Sequence, residues 1–283
     1  MHRYVVIDAF ASEPLQGNPV AVFFDCDDLS GERMQRMARE MNLSESTFVL
    51  RPQQDGDARI RIFTPVNELP FAGHPLLGAA ALLHHLRGGD NEQHWTLHLA
   101  SKSVALRSVR AGSGFYAEMD QGRAEFGATP DAGTCRWFAE AFSLSANDLS
   151  GHPPRVVSTG LPYLLLPVTA EALGRARQVN DLQEALDKLG AAFVYLLDVD
   201  GREGRTWDSL GLVEDVATGS AAGPVAAYLV EYGLAARGEP FVLHQGRFLE
   251  RPSRLDVQVA TDGSVRVGGH VQLLARAELL TSA

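Results

Sequence analysis

A helix that is apolar on every face must be enclosed by other protein or lie in a membrane, and this chain contains two such helices. The first follows Glu68-Leu-Pro-Phe-Ala-Gly-His-Pro-Leu-Leu-Gly78 and continues through Ala79, Ala80, Ala81, Leu82 and Leu83. Gly73 and His74 stand at its turn, and Pro75 suits a first helical turn, where a missing N–H costs nothing. The second follows Glu214-Asp-Val-Ala-Thr-Gly-Ser-Ala-Ala-Gly-Pro224 and continues through Val225, Ala226, Ala227, Leu229 and Val230. Glu68 and Glu214, Gly73 and Gly219, and His74 and Ser220 are each 146 positions apart. One period shared by several positions predicts two similar halves, each wrapped round one such helix. The first apolar run is too short to span a bilayer, so enclosure by protein is the expected solution.

The remaining chain supplies the wrapping. Short strand patterns rich in Val, Ile and aromatics recur at Tyr4–Phe10, Val20–Phe24, Arg59–Thr64, Trp95–Leu99, Val104–Leu106 and Phe115–Met119. They return at Val156–Ser158, Tyr163–Val168, Ala192–Leu197, Val242–Leu243, Leu255–Val259, Val265–Val267 and Val271–Leu274. Asp28–Met41 reads as a helix capped by Ser30, with Met34, Met37, Ala38 and Met41 at core spacing. Cys135–Leu144 and Leu182–Leu189 read as further helices, Gly122–Pro130 as a linker, and Asp198–Asp208 as a charged loop. Helices and strands do not alternate strictly, which excludes a doubly wound parallel sheet. The expectation is an α+β chain of two pseudo-symmetric domains, each a curled β-sheet around a central apolar helix. Residues 1–121 are expected to form one domain with central helix 75–86, and residues 130–283 the other with central helix 220–232, with a terminal strand free to cross between them.

Composition excludes several function classes. The formal net charge of -10 leaves no general basic face for nucleic acid. The two cysteines, Cys26 and Cys135, form no CxxC, so a thiolate zinc site is not expected. The first residues enter a strand pattern directly, without the look of a signal peptide, and a soluble cytoplasmic protein is expected. No GxGxxG after a strand, GxxxxGK[ST], HExxH or GxSxG occurs. His84 and His85 are adjacent, do not face the same way, and read as surface residues rather than metal ligands. Cofactor-free proton transfer is the chemistry that remains. Glu45 lies in a polar loop ahead of a strand, where a working residue on a rigid frame is often found. Read alone, His74 suits packing or capping as well as catalysis, and Asp215 suits a turn or cap. Two helix N-termini opened by Gly and a small polar residue offer two anion sites. If pseudo-symmetry sets the halves face to face, both point into one cleft suited to a carboxylate or a developing enolate.

The stretches Val6–Phe10, Gly17-Asn-Pro-Val-Ala-Val22, Ser44-Glu-Ser-Thr-Phe48, Ile62–Pro65, Glu68–Gly78 and Glu214–Pro224 together resemble the PhzF-like family, which shares the diaminopimelate epimerase fold. His244-Gln-Gly246, Arg251-Pro-Ser253 and Val267-Gly-Gly269 extend the resemblance. It is closest up to about Gly78, where it follows the phenazine-biosynthesis isomerase of the family, and looser beyond. The resemblance implies Glu45 as general acid/base, His74 and Asp215 assisting, and Gly73, Gly219 and Ser220 holding a small carboxylate substrate. It implies a homodimer and, for the phenazine enzyme, conversion of trans-2,3-dihydro-3-hydroxyanthranilate to an aminoketone. Other readings are an isomerase of another small carboxylate and a non-catalytic binding protein of the same fold. Ala72 and Thr218 stand where racemases of this fold carry paired cysteines, which excludes a two-thiol mechanism. Two further departures are Arg205-Thr-Trp-Asp-Ser-Leu210, in place of an Arg-x-Phe-x-Pro approach to the second turn, and Glu250, where a glycine is usual before Arg-Pro-Ser.

Overall fold

The computed structural model describes residues 1–280 and divides into two compact units. One is Met1–Asp120 together with the C-terminal segment from Gly268; the other is Gln121–Val267. The first unit contains β1 (His2–Ala9), β2 (Asn18–Phe23), β3 (Glu45–Leu50), β4 (Ala58–Phe63), the short β5 (Glu68–Leu69), β6 (Glu92–His98), β7 (Ser103–Ala111) and most of β8 (Gly114–Arg123). Its helices are α1 (Gly31–Met41) and α2 (Gly73–Arg87). The second unit holds β9 (Glu125–Phe126), β10 (Arg155–Ser158), β11 (Pro162–Pro167), β12 (Phe193–Asp198), β13 (Glu203–Thr206), β14 (Phe241–Gln245) and β15 (Ser253–Val259). Its helices are α3 (Ala132–Ala141), α4 (Ala170–Arg175), α5 (Gln183–Leu189) and α6 (Gly219–Glu231). The chain enters this unit within β8 and leaves it within β16 (Ser264–Leu279).

In the first unit the strands run β1-β2-β3-β4-β6-β7-β8-β16, and β16 pairs back onto β1 from His2↔Leu279 to Ala9↔Val271. The ring of these eight strands therefore closes, with β5 paired to β4 outside it. Helix α2 fills it, buried from Gly73 through Leu82. Its close fit needs Gly78, because a Cβ there would come within 3.0 Å of Val20 and 3.5 Å of Val22. Alternate residues of the same strands face outward, where Phe23 stacks on Phe48 at 4.8 Å and Phe48 meets Phe63 edge-on at 5.5 Å. Met34, Met37 and Ala38 of α1 cover that aromatic row. Strands β2 and β3 are thus buried on both faces, which gives the residues at their ends a rigid mounting.

The second unit follows the same plan with more cover. The order is β16-β15-β14-β13-β12-β11-β10-β9, and α6 packs on β10, β11 and β15. Helix α6 is buried from Gly219 to Leu229. Its close approach is at Gly223, where a Cβ would lie 2.1 Å from Gln121 Oε1. Helices α3, α4 and α5 contribute Phe138, Leu173 and Leu186 to a core shared with Leu164, Leu166 and Leu196 of the strands.

Several local expectations change. Gly122–Pro130 is not a free linker: β8 continues to Arg123, β9 follows, and Gly127 N donates to Val156 O. The charged stretch 198–208 contains β13, every residue of which is buried. Its charges are matched there, Glu203 by Arg247 and Arg205 by Glu214, which is why burial is tolerated. Val265–Val267 and Val271–Leu274 are parts of one 16-residue strand. Beyond the three helices expected, the second unit contains α4, Ala170–Arg175. His84 is fully buried, its ring bonded to Ser108 Oγ at 2.8 Å and Asp90 O at 2.9 Å. An apolar helix face can hold that histidine because both ring nitrogens are satisfied. Among the described residues no helix is long and apolar enough to cross a membrane.

Candidate active site

The two central helices begin differently from α1, α3 and α4. Ser30, Asp131 and Thr169 cap α1, α3 and α4 by accepting a backbone N–H. At α2 the N-cap is Ala72, and at α6 it is Thr218, and neither makes a side-chain cap bond. At each of these ends the N-cap side chain leaves the first N–H groups of the helix uncapped, the feature that favours an anion.

In the first unit three site candidates come together. Glu45 opens β3 rather than sitting in a loop, and β3 runs parallel to β2 with Val20 opposite Glu45. His74 is the second residue of α2, and its side chain is 3% exposed against 14% for Glu45. His74 Nε2 faces Glu45 Oε2 at 3.3 Å. Gly73 precedes His74 at the helix start. The other ring nitrogen, Nδ1, lies 3.3 Å from Asn18 Nδ2, and Ser44 Oγ donates to Asn18 Oδ1 at 3.1 Å. Burial drives the His74 pKa down to about 3, so the imidazole is neutral at ordinary pH. The Glu45–His74 contact is therefore not an ion pair. It sets a polar imidazole nitrogen against a carboxylate oxygen at close range without a formed hydrogen bond between the two atoms.

In the second unit Asp215, Gly219 and Ser220 are likewise held close. Asp215 Oδ2 accepts from Thr218 Oγ1 at 2.6 Å. Gln245 of β14 ties this turn together. Its Nε2 donates to Asp215 O at 2.8 Å and to Thr218 Oγ1 at 3.0 Å, and its Oε1 accepts from Thr218 N and Tyr195 Oη, both at 3.1 Å. Tyr195 is buried, and desolvation, reinforced by the negative charges of Asp215 and Glu203, raises its pKa and keeps it protonated. Gln121 Nε2 donates to Gly219 O at 2.8 Å, and Ser220 Oγ shares a 2.7 Å hydrogen bond with Tyr163 Oη. Ser220 is 7% exposed, more enclosed than a residue on an open rim.

The two turns share a support that the altered approach sequence had obscured. Arg61 of β4 grips Glu68 through Nε and Nη2, each at 2.7 Å, and lies 5.0 Å from the Phe63 ring centroid. Arg205 of β13 grips Glu214 in the same bidentate way at 2.7 Å and lies 4.6 Å from Trp207. Arg61 and Arg205 are 144 positions apart, against 146 for the glutamates, so the second loop carries two more residues and a Trp where the first has Phe. The Arg-x-aromatic support survives; only the loop beyond it differs. Glu68 and Glu214 are thereby committed to anchoring the turns. Glu250 has φ +57°, a left-handed conformation that explains why glycine suits this position.

Asn18, Ser44, Tyr163, Thr218 and Gln245 had no assigned role in the sequence reading. Asn18 lay in a Gly-Asn-Pro turn and Gln245 in the His-Gln-Gly stretch, but nothing local joins either to its partner. Among the described residues no group of three His, Cys, Asp or Glu side chains is arranged to hold a metal ion.

A family model for phenazine biosynthesis-like proteins matches residues 7–276. The chain is 48% identical over 265 residues to the trans-2,3-dihydro-3-hydroxyanthranilate isomerase of Pseudomonas aeruginosa, covering 90% of this chain and 89% of that one. The Pseudomonas fluorescens protein of the same name is 45% identical, covering 89% and 88%. A solved structure described as a predicted epimerase of Pseudomonas aeruginosa superposes with a TM-score of 0.97 at 85% identity, over all of both chains.

Proposed function

This chain belongs to the phenazine biosynthesis-like protein family, and on that premise we propose that it is a cofactor-independent isomerase acting through Glu45 on trans-2,3-dihydro-3-hydroxyanthranilate. In the first step the Glu45 carboxylate takes the proton from C3 of the ring, and the electron pair of that C–H bond enters the diene. In the second, protonated Glu45 returns the proton to another ring carbon, giving an enol, whose O–H proton then passes through solvent to the neighbouring ring carbon to give the aminoketone. Atoms and electrons balance within the substrate, and one carboxylate suffices because it is base first and acid second. The observation that carries this reading is the 3.3 Å contact of Glu45 Oε2 with a buried, neutral His74. His74 assists by orienting the carboxylate. Gly73 at one helix start, and Gly219 and Ser220 at the other, are assigned to holding the substrate carboxylate, and Asp215 to assisting proton movement. A homodimer in the cytoplasm is part of the same proposal and rests on the resemblance; sedimentation tests the dimer.

A second reading, isomerisation of a different small carboxylate, has one specific support. Pseudomonas aeruginosa holds both the 48% identical isomerase and the 85% identical predicted epimerase, so these are two proteins, and this chain is nearer the second. The deciding experiment incubates purified protein with trans-2,3-dihydro-3-hydroxyanthranilate in heavy water. Turnover with solvent deuterium in the product supports the first reading. Turnover in Glu45→Gln should fall by roughly two to four orders of magnitude, the usual scale for a general acid/base, while substrate still binds. Absence of turnover by the wild type transfers the proposal to another carboxylate or to a binding role; near wild-type turnover by Glu45→Gln removes Glu45 from the mechanism.

A further inference from the structure

The geometry points to Asn18 as the positioning residue that decides which nitrogen of His74 carries the proton. Asn18 opens β2 beside the start of β3, and its side chain is fully buried between the Glu45 strand and the His74 helix. Its Oδ1 accepts from Ser44 Oγ at 3.1 Å and its Nδ2 faces His74 Nδ1 at 3.3 Å. An amide nitrogen only donates, so His74 Nδ1 must present a lone pair. A neutral imidazole with its lone pair on Nδ1 carries its proton on Nε2, the atom 3.3 Å from Glu45 Oε2. The opposite tautomer would set two lone pairs against each other at that contact. Burial, which keeps the ring neutral, closes the third possibility of an imidazolium.

One side chain thus links the two elements that bear the reacting groups. Through Ser44 it fixes the residue before Glu45, and through Nδ1 it sets the Nε2 proton on the side of the ring that approaches the carboxylate, ready to be donated once the 3.3 Å contact closes into a hydrogen bond. A carboxylate that receives an N–H keeps a defined orientation toward the carbon it deprotonates, and loses that orientation if the histidine presents a lone pair instead. This role rests on the Glu45 mechanism, but the tautomer itself does not.

The test uses the whole protein labelled with nitrogen-15 at histidine. Two-bond proton–nitrogen correlation at pH 7 reads the tautomer, and His74→Gln assigns the His74 signals by their loss. The expected pattern is a neutral ring with an unprotonated Nδ1 and a protonated Nε2; a protonated Nδ1 in the wild type overturns the proposal. In Asn18→Asp the new carboxylate can only accept, so Nδ1 should become protonated. That variant should lose about 10–100-fold in kcat with KM changed by less than about twofold, taking the scale known for outer partners of metal-ligating histidines. An unaltered tautomer together with unaltered kcat in a folded Asn18→Asp overturns the proposal as well. Should that variant not fold, the wild-type spectrum alone still decides. An Nε2-protonated ring in a protein that does not turn over the substrate refutes the functional reading and leaves the tautomer assignment standing.

Discussion

Arg205→Met separates the two turn supports by their burial. Arg205 and Glu214 have side chains 3% and 12% exposed, whereas Arg61 and Glu68 are 26% and 40% exposed. Methionine fills much of the same volume but leaves Glu214 with no guanidinium in a poorly solvated site. It also removes the Nη1 donor from Leu173 O at 2.8 Å and Ala176 O at 3.1 Å. Removing one partner of a buried pair costs about 3–5 kcal/mol, because the remaining charge stays desolvated. The equivalent Arg61→Met acts on a half-exposed pair and should cost roughly 1 kcal/mol or less. Urea unfolding followed by circular dichroism and tryptophan fluorescence measures both, with Trp95 in the first unit and Trp137 and Trp207 in the second. Arg205→Met with Glu214→Leu should recover much of the loss, since it removes the stranded charge. Equal losses for the two single arginine variants, or no recovery in the double variant, would refute the argument that desolvation of Glu214 sets the cost.

Three further outcomes follow from particular side chains. The folded-state pKa of His74 falls from 6.5 to about 3, so between these values the unfolded chain binds a proton that the folded one does not. Stability present above pH 6.5 should therefore drop by up to about 1.4 kcal/mol per unit as pH falls toward 3, and His74→Gln should lack that component; parallel pH profiles of the denaturation midpoint would contradict the assignment. Ser220→Ala breaks the bond to Tyr163 and should cost about 1 kcal/mol in stability. If Ser220 holds a carboxylate, the same change should weaken 2-aminobenzoate binding by about tenfold in calorimetry, and an unchanged affinity removes it from the site. Glu250→Gly relieves a left-handed residue and should raise the urea midpoint, by about 1 kcal/mol of stability; a lowered midpoint would show that the glutamate side chain contributes more than the strain costs.

The sequence by itself determined what is local and periodic. Residue type along α2 and α6 requires burial on all sides, and the 146-residue interval reveals that the arrangement occurs twice. Ser30 and the methionines of α1 likewise announced a capped helix and the face it buries. Type and neighbours alone leave Glu45 and His74 open between structural and proton-moving roles, and the family resemblance is what singles them out. Tertiary structure decided which distant groups meet. His74 and Asn18 are 56 positions apart and become neighbours only because β2 lies beside β3 and α2 threads the closed ring. Gln245 reaches the turn before α6 only because β14 pairs with β13. Charged β13 was hidden for the same reason: its glutamate and arginine look solvated until Arg247 and Glu214 are brought to them. Hydrophobic pattern encodes burial one residue at a time, whereas a buried polar group is tolerated only when a partner arrives, and that partner is chosen by the pairing of strands far apart in the chain.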